Sequence, residues 1–515
     1  MKRVVKALFS RIFVVFLAIM LQVAFWVVVY YILEQNKYTS QIFNIIMLII
    51  SFFVIMRIIN KKEPEAFKLP WILIVLFMPV FGAFIYLMLG RSPISKKQAK
   101  IRRGIRKEIV TKMDSREGID EYLKEDNMDA YGQSQYIFNT CSLPVCINTK
   151  TEYLPNGQAF HKRLLDLINN AEKFILLEYF IMSEGEMLTS VLDALYKKAD
   201  EGVDIMIIYD DIGTLERLSG KLYKHILSKG IKIVKYNPFI PVVSVVHNNR
   251  DHRKITVVDG KYGLMGGINI GDEYINKEHP YGYWKDSAIY LEGEAVNSLS
   301  CIFAENYNSS VKKEDQIDIK DYMYKHTEVY NNGFVQPFSD GPAPIDTDYI
   351  GAGVYSNLID MAKHYINITT PYLIVSYDFL QRLCRAAKRG VDVRIITPYI
   401  PDKKVTNILT KSNYEMLIEA GVKIYEFEPG FIHAKNFIVD DLYAVCGTIN
   451  VDYRSLVHHF ECGIWMYKTT AVKTMKEDFD NMIDNETIEI TKEKSRLPFF
   501  KRMLKDIVNL FSPLF

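Results

Sequence analysis

The chain has 515 residues, 49% hydrophobic and 24% charged, which excludes a disordered protein and fits about three folded units. Its 63 basic and 61 acidic side chains leave a formal charge of +2, so no global basic excess points to nucleic acid. The six cysteines, Cys141, Cys146, Cys301, Cys384, Cys446 and Cys462, form no C-x-x-C pair. That argues against a zinc ribbon or a disulfide framework and predicts reduced, buried thiols.

Three uncharged apolar runs open the chain. Residues 12–33 form a run of 22, which as a helix would cover about 33 Å, enough for a hydrocarbon core. Residues 38–56 form a second run of 19, and residues 69–90 a third of 22 with Pro79 and Gly82 near its middle. The first run is too long for a signal peptide, and no small-residue cleavage site follows it. Lys2, Arg3, Lys6 and Arg11 predict a cytoplasmic N-terminus, and Arg57, Lys61, Lys62 and Lys68 a cytoplasmic loop after the second run. Beyond the third run come Arg91, Lys96, Lys97, Lys100, Arg102, Arg103, Arg106 and Lys107. Three full spans would put this cluster outside. Two spans plus a re-entrant or interfacial third segment keep it inside, against anionic headgroups. The expectation is a multi-pass cell-membrane protein with an all-α transmembrane region over 1–91, a basic linker or surface helices over 92–139, and the remaining domains facing the cytoplasm.

From residue 140 the pattern turns α/β. Segments 173–181 and 203–209 read as buried strands, and 187–199 and 223–229 as helices between them. The order is then written again. Gly202-Val203-Asp204-Ile205 matches Gly390-Val391-Asp392-Val393, and Gly230-Ile231-Lys232-Ile233 matches Gly421-Val422-Lys423-Ile424. A repeat this long predicts two similar tandem domains, over 140–325 and 326–490, followed by a C-terminal segment 491–515 that reads as an amphipathic surface helix.

The strongest repeat carries chemistry. His252, Lys254, Asp259, Gly266 and Asn269 have the spacing H-x-K-x4-D-x6-G-x2-N, and His433, Lys435, Asp440, Gly447 and Asn450 repeat it 181 residues later. In a strand, residues two apart share a face, so each His and its Lys are expected to point the same way. Two such motifs at a domain interface would bring together two imidazoles, two ammoniums and two amides. Lysine and asparagine suit the oxygens of a phosphodiester and offset its charge in the transition state. One imidazole can attack phosphorus. The other can protonate the leaving alkoxide and then deprotonate the incoming alcohol or water. This double displacement requires one histidine neutral and the other protonated at rest. Asp286 and Glu461, 34 and 28 residues beyond the histidines of their own repeats, are candidate carboxylates to orient the rings. Imidazole beside ammonium is poor ligand chemistry, so no metal or other cofactor is expected. His247 with His252, or His458 with His459, are the pairs that could bind a metal incidentally.

The paired motifs resemble the phospholipase D superfamily. Pro70-Trp71, Pro79, Gly82, Tyr86 and Gly90-Arg91, with Gln336-Pro337, Gly341-Pro342 and the ending Leu510-Phe511-Ser512-Pro513-Leu514, narrow the resemblance to bacterial cardiolipin synthases. One departure is His459, two residues before Glu461, where the resemblance leads one to expect Asn. The resemblance implies two tandem phospholipase D-like domains sharing one active site at a pseudo-two-fold interface. It implies catalytic triplets His252, Lys254, Asp259 and His433, Lys435, Asp440, with Asn269 and Asn450 on the substrate phosphate. It implies condensation of two phosphatidylglycerols into cardiolipin with release of glycerol, His252 being the attacking imidazole. A hydrolytic phospholipase D and a phosphatidylserine synthase share that chemistry. A nuclease would not need three apolar runs, and a non-catalytic scaffold would not need both motifs intact. The partners implied are phosphatidylglycerol and the bilayer, with no nucleic acid.

Overall fold

The computed structural model describes residues 37–78, 96–112, 118–238, 249–327, 329–330 and 332–495, with scattered positions between 20 and 31, 82 and 94, and 502 and 512. Most of the first apolar run, Pro79, Arg91, His247 and most of the C-terminal segment lie outside the described residues. The chain divides into two compact units, one built mainly on residues 1–93 and one on 94–238 and 250–505.

In the first unit, helix Lys37–Ile59 contains the 19 residues Gln41–Ile59, with a mean hydropathy of 2.6. Among the described residues it is the one helix long and apolar enough to cross a bilayer. The third apolar run is not one straight helix. Helix Glu65–Phe77 stops there, and Gly82 returns so close that a Cβ on it would stand 2.4 Å from the Ile74 carbonyl. Only glycine permits that approach. Val54, Ile58, Val75, Ala83 and Tyr86 form the small core that this reversal closes.

The second unit holds the two repeats. The first supplies strands β1 (Thr149–Leu154), β2 (Phe174–Tyr179), β3 (Asp204–Asp210), β4 (Lys232–Tyr236), β5 (Ile255–Val258), β6 (Tyr262–Gly266), β7 (Tyr283–Lys285) and β8 (Ala288–Gly293). Seven of them form a mixed sheet in the order β1-β8-β6-β5-β2-β3-β4. The second repeat supplies β9 (Phe334–Asp340), β10 (Tyr365–Thr369), β11 (Leu373–Ile374), β12 (Asp392–Pro398), β13 (Lys423–Phe427), β14 (Gly430–Ile432), β15 (Asn436–Val439), β16 (Tyr443–Gly447), β17 (Val451–Asp452), β18 (Glu461–Tyr467) and β19 (Thr487–Glu489). Its sheet runs β9-β18-β16-β15-β10-β12-β13, the same order, with β19 added at the far edge. In each sheet three neighbouring strands, β2, β3 and β4 or β10, β12 and β13, are parallel, and the other pairings, β13 with β19 included, are antiparallel. One hydrophobic core runs through both repeats, from Phe174 and Leu176 to Ile395 and Phe437. Helix Ala295–Ser310 is buried from Ala295 through Asn308.

The basic segment 92–139, expected to be a linker or surface helices, is largely helical. Helices Lys96–Val110, Ile119–Asp126 and Met128–Cys141 occupy it, and Ala99, Ile109, Leu123, Ala130 and Ile137 enter the common core. The basic residues divide by helical face. Arg106 turns inward and reaches Glu305 of the first repeat at 2.7 Å and Asp346 of the second at 2.6 Å. Arg102 lies over the Phe460 ring, 4.6 Å from its centroid. Lys96, Lys97, Lys100, Arg103 and Lys107 remain exposed. The cluster expected to lie whole against headgroups is therefore partly spent on holding the repeats together. All six cysteines are buried thiols outside any disulfide.

Candidate active site

Each histidine lies just before a short buried strand, β5 or β15, and not within one continuous strand as alternation predicted. The gap is bridged by the other repeat. Strand β14, leading to His433, pairs in parallel with β7 of the first repeat, and the His433 N–H donates to the Lys285 carbonyl at 2.7 Å. The mirror contact pairs Asp251 with Phe460, and the His252 N–H donates to the Phe460 carbonyl at 2.9 Å. Each catalytic segment thus runs beside the segment that carries the other repeat's carboxylate.

The consequence corrects the sequence reading of the orienting acids. They are exchanged between repeats. His252 Nδ1 stands 3.0 Å from both oxygens of Glu461, and His433 Nδ1 stands 2.6 Å from Asp286 Oδ2. A carboxylate only accepts, so Nδ1 carries the proton in both rings and each Nε2 is left with its lone pair. Thr448 donates its hydroxyl to Glu461, and the Ser287 N–H donates to Asp286. Lys254 donates to the backbone carbonyl of His252, and Lys435 to that of His433.

The repeated spacing acquires separate reasons. A Cβ on Gly266 would stand 2.3 Å from the Ser287 carbonyl, and one on Gly447 2.4 Å from the Cys462 carbonyl, so strand approach demands glycine at both. Asp259 and Asp440, implied to be catalytic, sit one residue past β5 and β15, about 17 Å of strand from the motif lysines. Both occupy left-handed turn backbone, at φ 56° and 55°. Asp259 accepts the backbone N–H groups of Glu172, Lys173 and Phe174, and Asp440 those of Lys363, His364 and Tyr365, at 2.7–2.9 Å. They anchor the start of β2 and β10 and do not join the imidazoles. Asn269 accepts from the Ile181 N–H and donates to the Tyr274 hydroxyl, whereas Asn450 Oδ1 is buried with no partner among the described residues.

The two halves of the site are pinned differently. Beside His252, Arg253 pairs with Asp251 and Glu178, and Arg250 with Asp210, all buried. Beside His433 lie the rings of Trp284, Tyr274 and Phe431, with centroids 5.4–5.8 Å away. Burial pushes the His252 imidazole well below its usual range, and Lys254, Lys435 and His433 push the same way. Burial and Lys435 likewise bring His433 down to about 4 against the opposing pull of Asp286. Burial would raise Asp286, but Lys435 and His433 outweigh it and hold the carboxyl below its usual range. Partial ion pairing would have raised His433 as it lowered Asp286; burial and the nearby lysines bring His433 down as well. Burial brings Lys254 to about 7 and Lys435 to about 8. Both imidazoles are therefore neutral at rest, not one neutral and one charged. An anionic phosphodiester between the lysines would supply the field that lets one take up a proton.

Sequence reasoning did not find the carboxylate exchange or Thr448, and it paired His459 with His458 where the fold sets it beside His252 and Glu461. The His459 side chain is 10% exposed, and its Nδ1 lies 3.5 Å from Glu461 Oε1. With His252 and Glu461 it forms the one group of side chains among the described residues spaced to hold a metal.

The family description "cardiolipin synthase, PLD-like domain" matches residues 164–305 and 355–483, which contain both motifs, and a phospholipase D-nuclease N-terminal description matches 49–91. The chain is 33% identical to a cardiolipin synthase of Alkalihalophilus pseudofirmus, over 87% of this chain and 88% of that one. A cardiolipin synthase of Halalkalibacterium halodurans is 32% identical over 92% and 93%, and one of Staphylococcus aureus 32% over 86% and 90%. The chain belongs to the phospholipase D-type cardiolipin synthase family. It is a phosphatidyltransferase, and its two sheets are the two phospholipase D-like repeats of that family. The crystal structure of a phosphatidylserine synthase from Haemophilus influenzae shares this fold, with a TM-score of 0.55 at 18% identity, over 74% of this chain and 97% of that one.

Proposed function

We propose that this cardiolipin synthase family member joins two phosphatidylglycerols into cardiolipin and releases glycerol. The observation that carries the mechanism is the carboxylate exchange: each imidazole is oriented by the other repeat, so both lie in one buried site with both lysines. His252 Nε2 attacks the phosphorus of the first lipid. The P–O bond to its glycerol headgroup breaks, and His433, protonated once the phosphate is bound, gives its Nε2 proton to the departing alkoxide. Glycerol leaves and the phosphatidyl group remains on His252. His433 then removes the proton from a hydroxyl of the second phosphatidylglycerol, whose oxygen attacks phosphorus as the P–N bond breaks. Lys254 and Lys435 offset the charge gathered on the phosphoryl oxygens.

Membrane placement fits this substrate. Helix Lys37–Ile59 is the candidate span, residues 12–33 the other, and the reversal at Gly82 supports a re-entrant or interfacial third segment. The exposed basic face of helix Lys96–Val110 suits an anionic cytoplasmic leaflet. The reading is tested by giving the purified full chain phosphatidylglycerol alone in mixed micelles. Cardiolipin and glycerol in equal amounts support it. Phosphatidic acid and glycerol would indicate hydrolysis, and inert phosphatidylglycerol a different phosphatidyl donor.

A further inference from the structure

Neighbours in sequence suggested His247 with His252 and His458 with His459 as incidental metal pairs. The fold assembles a different set. One nitrogen of His252, one of His459 and one oxygen of Glu461 all lie within 4.8 Å of one another. His252 Nδ1 is 3.0 Å and His459 Nδ1 3.5 Å from the same Glu461 oxygen. Around a tetrahedral zinc with bonds of about 2.0–2.1 Å, ligand atoms stand about 3.3 Å apart. The two separations bracket that value. A second observation concerns His459 alone. Both ring nitrogens are buried, and among the described residues neither has an aligned hydrogen-bond partner, an unfavourable state that a ligand would relieve.

We propose that His252, His459 and Glu461 form an inhibitory site for Zn²⁺, with two imidazoles and a carboxylate as ligands and water in the fourth position. Metal taken at His252 Nδ1 displaces the proton shared with Glu461, and that proton moves to Nε2, removing the lone pair that would attack phosphorus. Metal taken at Nε2 occupies the same lone pair directly. Either way the ring is lost as a nucleophile. Lys254 and Lys435 oppose a dication, so the ion acts as a reversible inhibitor and not as a resident cofactor. Mg²⁺, which prefers oxygen ligands, does not substitute.

The inhibitory consequence rests on the proposed role of His252; the binding site itself does not. The test uses the purified full chain in detergent. Co²⁺ is the spectroscopic probe, and its visible absorption reports tetrahedral coordination without any lipid present. The wild type should develop that absorption and lose it to added Zn²⁺. H459N and H459Q should fail to develop it, while H458N should retain it. In the second arm, turnover of phosphatidylglycerol is measured as a ratio with and without metal. Zn²⁺ at roughly ten times its dissociation constant should leave about a tenth of wild-type turnover. Loss of a ligand weakens binding by at least about 10- to 100-fold, so the H459N ratio should rise to about 0.5–0.9 or above, and Mg²⁺ should change neither protein. Absence of the Co²⁺ absorption in wild type, or its persistence in both His459 variants, overturns the site. Binding that depends on His459 but leaves turnover unchanged overturns the inhibition.

Discussion

Glu461→Gln separates a shared site from two independent ones. Glu461 is fully buried, belongs to the second repeat and orients His252 of the first. Glutamine keeps the shape and removes the charge. While His252 carries the phosphatidyl group its ring is positive, and the lost charge-assisted hydrogen bond is worth about 1.5–3 kcal/mol. At 1.36 kcal/mol per factor of ten, that is about 10- to 150-fold in rate. If the amide NH₂ turns towards the ring, Nδ1 becomes the acceptor and the proton moves to Nε2. The loss then approaches the roughly 10⁴-fold seen when a triad carboxylate becomes an amide. Rapid-quench kinetics with a phosphatidyl donor bearing a good leaving group isolates the steps. E461Q should slow formation of the histidine adduct by this 10- to 10⁴-fold range. D286N, which acts on His433, should spare adduct formation from that donor and slow its breakdown. Loss of less than about threefold in E461Q, or adduct formation blocked in D286N and spared in E461Q, would refute the exchange as a functional arrangement.

Further outcomes follow from the same geometry. With Lys254 near 7 and Lys435 near 8 in the free protein, raising the pH removes the ammonium charge that receives the phosphate, so kcat/KM should fall from about pH 7 to 9. A bound anion favours the ammonium form, so kcat should fall only at higher pH; a flat kcat/KM over that range contradicts the assignment. R106A leaves Glu305 and Asp346 buried without their shared cation and should cost about 3–5 kcal/mol, seen as a lowered denaturation midpoint. Full retention of the midpoint would show that the helix does not fasten the repeats. D259A and D440A should lower thermal stability by about 1–3 kcal/mol while the folded protein keeps its turnover, because each removes backbone acceptors far from the imidazoles. Normal stability with abolished turnover would return these residues to the catalytic step. G267A should push the Asp286 carboxylate, 2.1 Å from the added Cβ, off His433 and cut turnover to the level of D286N, measured in the same assay.

Duplication was the most legible feature of the chain. Repeated glycine-initiated strands and a repeated H-x-K-x4-D-x6-G-x2-N spacing foretold two like sheets, and both appear with the same strand order. Local spacing also marked Asp259, Asp440, Gly266 and Gly447, but it could not tell a group that touches substrate from one that lets strands turn or approach. Only the turn backbone and the Cβ clearances separate those roles. The partner of each histidine was hidden because sequence distance favours an acid in the same repeat. The pairings β7 with β14 and Asp251 with Phe460 carry it across instead. Arg102 and Arg106 were misread for a related reason. A run of basic residues looks solvated until tertiary packing buries one face of its helix against Glu305, Asp346 and Phe460. Neutral resting imidazoles were equally out of reach, since burial and two nearby lysines set them.

Trapping the covalent intermediate tests the central claim most directly. The full-length His433→Ala variant is incubated with a phosphatidyl donor that needs no protonation of its leaving group, and the modified residue is located by mass spectrometry. Nucleophilic attack by His252 across a site shared with the second repeat predicts an adduct on His252 that persists, since the base for its removal is missing. An adduct found on His433 in the reciprocal His252→Ala variant, with His252 never modified, would contradict that assignment.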